Sequence, residues 1–313
     1  MPDPQPPFES PLSRRSLLAA GLAGVATTTL VRGDEPSSPV RRVLRLAHLT
    51  DAHVQPQRGA AEGLAACLAH AQSQRPAPDL ILFGGDNVMN VDGGGRDTAP
   101  QQLEVWRSSL RDHCSTPYRT LIGNHDILRL DPRDGKAWAM DAFGLDNRYQ
   151  TFEQAGWRFI LLDSTSPEAG GYKGRLDDEQ FDWLERTLRD TPRSTPICVV
   201  SHIPILAACA YFDGNNEESG DWRVPGAWMH IDARRIKDLF RRHPNVRLCL
   251  SGHIHLADVV NYLGVTYACN GAVSGAWWGG SYQEFAPGYA VVDLFDDGSS
   301  AVEFITYGWT TRD

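Results

Sequence analysis

Short runs of carboxylate, imidazole and amide recur where apolar stretches stop. Asp51 and His53 lie in "LTDAH", Asp86 in "FGGDN", Asn124, His125 and Asp126 in "LIGNHD", His202 in "VVSH", and His253 and His255 in "LSGHIH". Neutral imidazoles with carboxylate and amide oxygens make a hard-to-borderline N,O set, suited to Zn, Mn or Fe rather than to a thiolate-preferring metal. The Asp-x-His and His-x-His spacings let both side chains approach one ion from a loop. A carboxylate such as Asp86 has two oxygens and can hold two cations together, the arrangement that lets two-metal hydrolases stabilise attacking and leaving oxygens alike. One catalytic zinc needs only three protein ligands and a water, fewer than the candidates present. Taken singly, each run is an ordinary turn, because Asn and Asp favour turns and glycine relieves backbone strain. Together they make a site only if the strands that carry them are neighbours.

The elements around these runs predict such neighbours. "RVLRLAHL" reads as a first strand, "DLILFGG" as a second stopped by Gly84 and Gly85, and "YRTLIGNHD" as a third. Helices are predicted over 60–74 and 100–112, the first with Leu64, Cys67, Leu68 and Ala71 on one face. "RYQTFEQAGWRFILLDS" reads as a hairpin turning near Gly156, and 177–189 as a helix with Phe181, Leu184 and Leu188 inward. Strands "TPICVVSH" and "VRLCLSGHIH" again end in histidine, with a helix over 232–242 between them. The stretch 205–229 lacks periodicity and reads as a lid or substrate-facing loop. Short strands dominate after Val259, the last two flanking an Asp-Asp-Gly turn. Strand, polar tip, helix, strand is the pattern of an α/β layered fold whose polar groups gather at the carboxyl ends of central strands.

The chain of 313 residues carries a formal charge of -9, so it has no basic field for wrapping duplex nucleic acid, and phosphate chemistry must bring its positive charge locally. Its start, "PLSRRSLLAAGLAGVATTTLVRG", places Arg14 and Arg15 before an apolar stretch too short for a comfortable membrane span. This segment resembles a twin-arginine leader, which implies the twin-arginine export machinery as a partner and a periplasmic or otherwise exported protein. The expected organisation is a leader and linker over 1–40 and a single domain over 41–313. The six cysteines, 67, 114, 198, 209, 249 and 269, mostly sit beside apolar residues and read as buried fillers. An oxidising compartment would allow one or two disulfides among them.

Through "DAH", "GDN", "GNHD", "SH" and "GHIH", in that order, the chain resembles the calcineurin-like metallophosphoesterases over about 44–256. The resemblance implies a four-layer α/β/β/α sandwich of two mixed sheets with a dinuclear metal centre at the strand ends. It implies that Asp51, His53 and His255 hold one ion, that Asn124, His202 and His253 hold the other, and that Asp86 bridges them. His125 would contact the phosphate or protonate the leaving oxygen, with Asp126 orienting it. Met89 stands where purple acid phosphatases carry a metal-binding tyrosine, which points away from that branch and leaves Fe, Mn and Zn open.

The implied reaction is hydrolysis of a small phosphoester by a hydroxide held by both ions, with a diester preferred. A phosphomonoesterase using the same centre, or a metal-stabilised scaffold without activity, are the alternatives. A scaffold site closes its coordination with four ligands, whereas this set is larger and adds the His125-Asp126 pair. Beyond the metals, Asn87, the loop 90–96 and Arg129 are candidate pocket residues. Trp277 and Trp278, and Tyr211, Phe212 and Trp222 in the irregular loop, are candidates to stack a base or apolar leaving group, with packing as the competing role.

Overall fold

A computed structural model describes residues 39–92, 98–128, 135–214 and 219–311. Residues 1–38 of the expected leader and linker, residues 93–96 of the candidate pocket loop and Arg129 therefore lie outside the described residues. Within the described residues the chain first forms β1 (Arg42–Leu49), α1 (Ala60–Gln72), β2 (Leu80–Phe83), α2 (Ala99–His113), β3 (Tyr118–Thr120) and α3 (Gly135–Phe143). It continues through β4 (Gln150–Gln154), β5 (Trp157–Leu162), β6 (Thr165–Glu168), β7 (Gly171–Gly174), α4 (Asp178–Asp190) and β8 (Ile197–Ser201). It closes with α5 (Ala233–Arg242), β9 (Val246–Ser251), β10 (Asp258–Tyr262), β11 (Val265–Cys269), β12 (Gly288–Phe295) and β13 (Ser300–Thr306).

These strands form a five-stranded sheet in the order β13-β12-β1-β2-β3 and a six-stranded sheet in the order β10-β11-β9-β8-β5-β4, with β6-β7 a separate hairpin. Both large sheets are mixed: β1, β2 and β3 run parallel, as do β5, β8, β9 and β11, while the outer strands return antiparallel. The parallel strands β2 and β8 are buried at every position, as expected where both faces of a sheet are covered.

Three apolar layers account for that coverage. Between the sheets, Leu44, Leu46, Leu82, Ala290 and Val292 of the first pack with Phe159, Leu161, Val200, Leu248 and Leu250 of the second. On the far side of the first sheet, Ala47, Leu49, Ile81 and Phe83 meet Leu64 and Leu68 of α1 and Trp106 and Leu110 of α2. On the far side of the second, Ile160, Leu162 and Val199 meet Phe181, Leu184 and Leu188 of α4 and Ile236, Leu239 and Phe240 of α5. The result is the four-layer α/β/β/α sandwich. Helix α4 shows how the sequence sets this locally: Asp177 caps it by accepting from Gln180 N at 2.9 Å, and the i, i+3, i+7 positions Phe181, Leu184 and Leu188 are its buried face. Helix α3 and the β6-β7 hairpin are elements that the sequence pattern did not announce.

Candidate metal centre

Because β1, β2 and β3 are parallel neighbours, and β8 and β9 likewise, their carboxyl ends lie side by side. The loops leaving them are stitched together by backbone bonds: Asp51 N donates to Gly85 O at 3.0 Å, His53 N to Asp86 O at 2.9 Å and Gly252 N to His202 O at 3.1 Å. A further bond spans the two sheets, from His253 N to Asp51 Oδ2 at 2.8 Å. Asp51, His53, Asp86, His253 and His255 all sit at positive φ, between 44° and 74°. For residues with a Cβ this costs about 1–3 kcal/mol each, and such strain collects at functional sites. The motif glycines make the crowding possible. A Cβ on Gly123 would lie 2.1 Å from Asp86 Oδ1, and one on Gly252 would lie 2.0 Å from Thr50 Oγ1 and 2.3 Å from Asp51 Oδ2.

The side chains converge in overlapping groups. Asp51, His53 and His255 offer donor atoms within 4.8 Å of one another, as do Asp86, His202 and His253, and also His53, Asp86 and His125. Asp86 belongs to groups on both sides. His53 Nε2 faces His255 Nε2 at 3.1 Å, and Asp51 Oδ1 lies 3.8 and 3.5 Å from these two nitrogens. His202 Nε2 lies 3.2 Å from Asp86 Oδ2 and 3.1 Å from Asn124 Oδ1.

Backbone carbonyls fix the rings. His202 Nδ1 donates to Gly84 O at 2.9 Å, His255 Nδ1 to Gly275 O at 2.6 Å, and His253 Nε2 to Ala227 O at 2.9 Å. On a neutral ring each bond leaves the other nitrogen as the lone pair, the usual support of a metal-ligating histidine. Asp51 Oδ1 is buried with no hydrogen-bond partner. A bare buried carboxylate oxygen beside two facing imidazole nitrogens is costly unless a cation lies among them. The donor set therefore fits a dinuclear N,O metal centre.

The protonation balance agrees. Burial pushes the Asp51 carboxyl up, but the neighbouring His255 and His202 imidazoles outweigh it and hold it below the usual range. Asp86 is likewise held low, burial being overcome by His202, His125 and His53. Burial, with the like charge of His125, depresses His53, and burial with His202 brings His253 down to about 3. On His202 burial is overridden by Asp86 and Asp51, which raise it to about 9. Binding a cation there displaces a proton.

Two expected roles are corrected. Asp126 does not orient His125: it is buried, and accepts from Gly123 N at 2.8 Å, Asn87 Nδ2 at 3.0 Å and Val88 N at 3.1 Å, tying the loop after β3 to that after β2. Burial and the nearby Asp86 raise its carboxyl to about 7. The group that holds the His125 ring is the Met89 carbonyl, 2.6 Å from Nδ1. No residue type signals that role, because any residue supplies a carbonyl. Asn87, expected in the pocket, is buried and bound to Leu121 O and Asp126.

The aromatic candidates divide. Trp277 lines the pocket over the cluster, its ring 4.7 Å from that of His255. Trp278 is buried against α1, where a Cβ on Gly63 would lie 2.0 Å from its ring, and donates Nε1 to His53 O at 3.0 Å. Tyr211, Phe212 and Trp222 cluster with one another on the surface and do not line this pocket. The irregular loop contributes Asp213 and Trp228 instead, joined by Tyr172, Ile254 and Tyr282. The cavity they enclose with His53, Asp86, His125, His253 and His255 is about 170 Å³. His230 lies outside it, buried between Ser201 Oγ at 3.1 Å and Asp232 Oδ1 at 2.9 Å, where it braces the end of β8. All six cysteines are free thiols, and all but Cys114 are buried.

Comparison with known proteins agrees with this site. The family model described as calcineurin-like phosphoesterase matches residues 44–257. A 3′,5′-cyclic-nucleotide phosphodiesterase of Nostoc sp. is 26% identical over 86% of this chain and 91% of its own length. The 3′,5′-cyclic adenosine monophosphate phosphodiesterase CpdA of Escherichia coli is 26% identical over 68% of this chain and 70% of its own. Among solved structures, a dimetal phosphatase from Danio rerio superposes with a TM-score of 0.60 at 16% identity, over 86% of this chain and 100% of that one, a likeness of fold. The chain belongs to the calcineurin-like phosphoesterase family. It is a metallophosphoesterase.

Proposed function

We propose that the protein is a phosphodiesterase acting on a small diester. The observation that carries this reading is the pocket directly over the cluster of candidate ligands, whose walls are Tyr172, Trp228, Trp277, Tyr282 and Ile254. A diester has a second organic substituent to place against such a wall, whereas a monoester has one. The relatives named as cyclic-nucleotide phosphodiesterases support the same substrate class.

In this reading Asp51, His53 and His255 would hold one ion, Asn124, His202 and His253 would hold the other, and Asp86 would lie within reach of both. Two ions bound there supply positive charge for the phosphoryl oxygens and lower the proton affinity of water. Fe, Mn and Zn all suit the donors. The remaining work falls to the chain. His125, half-exposed at the pocket with its Nδ1 on Met89 O, presents Nε2 to the leaving oxygen and can carry a proton to it. Trp277 covers the His53 and His255 rings and limits water on that side. Arg14 and Arg15 before the apolar stretch support an exported protein.

The test is hydrolysis of bis(p-nitrophenyl) phosphate against p-nitrophenyl phosphate by protein loaded with Mn, Zn or Fe. A higher kcat/KM for the diester is expected. A monoester preference overturns the diesterase reading in favour of a phosphomonoesterase.

A further inference from the structure

One carboxylate in the pocket has no part in holding metal. Asp213 belongs to the irregular loop, yet its Oδ1 is pinned by two donors from the opposite wall, Tyr282 Oη at 2.6 Å and Gln283 Nε2 at 3.2 Å. Its Oδ2 has no partner among the described residues. The Tyr282 ring in turn stands edge-on to His255 and to Trp277, with centroids 5.5 Å away in each case. Asp213 is thus registered to the metal cluster through Tyr282 rather than left to wander with its loop.

We propose that Asp213 is a specificity-determining acceptor: its open carboxylate oxygen takes a hydrogen bond from a hydroxyl or amine on the alcohol part of the substrate, and its charge disfavours a phosphomonoester dianion. The inference rests on the phosphodiesterase reading above. A carboxylate accepts at both oxygens, and two donors on one oxygen leave the other able to accept from a ligand in the pocket that Asp213 lines. A hydrogen bond to a charged group is among the stronger ones, and its loss costs about tenfold or more in affinity. A diester carries one negative charge, whereas a monoester near neutral pH approaches two, so a fixed carboxylate on the wall sorts the two classes. The substrate class that satisfies both conditions is a phosphodiester monoanion bearing a donor, as on a ribose hydroxyl or a nucleobase amine.

The experiment compares wild type with Asp213→Asn on 3′,5′-cyclic AMP, its 2′-deoxy analogue, 3′,5′-cyclic IMP, bis(p-nitrophenyl) phosphate and p-nitrophenyl phosphate. The asparagine keeps an acceptor for Tyr282 and removes the charge. The expected result is a loss of about tenfold in kcat/KM for cyclic AMP, expressed in KM, with bis(p-nitrophenyl) phosphate unchanged within about twofold and the monoester rate raised. In wild type, the same loss with the deoxy analogue identifies the hydroxyl as donor, and with cyclic IMP the amine. Tyr282→Phe, which frees Asp213, should give a smaller loss in the same direction. Equal loss on both diesters, or no change on any substrate, overturns the proposal while leaving the diesterase reading standing. Wild-type protein inert on every diester overturns both.

Discussion

His202 Nε2 and Asp86 Oδ2 stand 3.2 Å apart across the junction of the two sheets, one leaving β8 and the other β2. Neither strand alone makes a site; the contact exists because the sandwich brings both carboxyl ends to one edge. Asp86→Asn keeps the shape and removes the charge that two ions would share. It should lower metal content and reduce kcat/KM by more than about 100-fold, the upper end of what loss of a supporting partner costs at a metal site. Metal analysis of the purified variant alongside its kinetics checks this, and full metal content with normal turnover would contradict it.

His125→Ala separates two roles, since the imidazole lies 4.0 Å from Asp86 Oδ2 yet has its Nδ1 on Met89 O. As a proton donor, its removal should leave metal content unchanged and reduce kcat by about 10²–10⁴ on an alkyl ester. The loss should be smaller on a p-nitrophenyl ester, whose leaving group needs no proton. Loss of an ion together with equal damage on both substrates would make it a ligand instead.

Gly123→Ala tests the crowding behind the motif. Its Cβ would lie 2.1 Å from Asp86 Oδ1 and 2.3 Å from the Asp86 backbone nitrogen. Overpacking of this kind costs about 1–3 kcal/mol, so denaturant unfolding should show a lowered midpoint and the variant should bind metal poorly. Wild-type behaviour in both assays would mean that the loop after β3 has room the packing denies.

Much of this arrangement was legible beforehand, for a physical reason. Leu80–Phe83 is a continuous apolar run stopped by two glycines, and parallel strands ending in chemistry leave that pattern. What escaped had no pattern to leave. Helix α3 is short and weakly two-faced, and β6 carries Pro167, which argues against a strand on sequence grounds. The Met89 carbonyl that holds His125, and the Gly84, Ala227 and Gly275 carbonyls behind the other rings, are backbone atoms that residue types cannot mark. Asp213 reaches the pocket only through a loop without periodicity, and Tyr282 comes to meet it from nearly seventy positions later.

Acid stability should report on His48, buried beside Asn270, whose Nδ2 lies 2.7 Å from its Nδ1. Burial brings its pKa down from 6.5 to about 4. The unfolded chain therefore takes up the proton first: stability is fully present above pH about 6.5 and falls as pH drops toward about 4, by about 3 kcal/mol for this group. His48→Gln should lose that part of the pH dependence when unfolding is followed over this window. An unchanged slope would contradict the assignment.

Replacing Arg14 and Arg15 by lysine should retain the chain in the cytoplasmic fraction of an expressing bacterium with twin-arginine export, while the parent chain reaches the periplasm. Equal distribution of the two would remove the basis for export.

The most direct measurement is elemental analysis of the purified protein combined with anomalous diffraction at the metal edges. The account predicts two ions per chain, both within bonding reach of Asp86, one also touching Asp51, His53 and His255 and the other Asn124, His202 and His253. A single ion, or two that do not share Asp86, would contradict it.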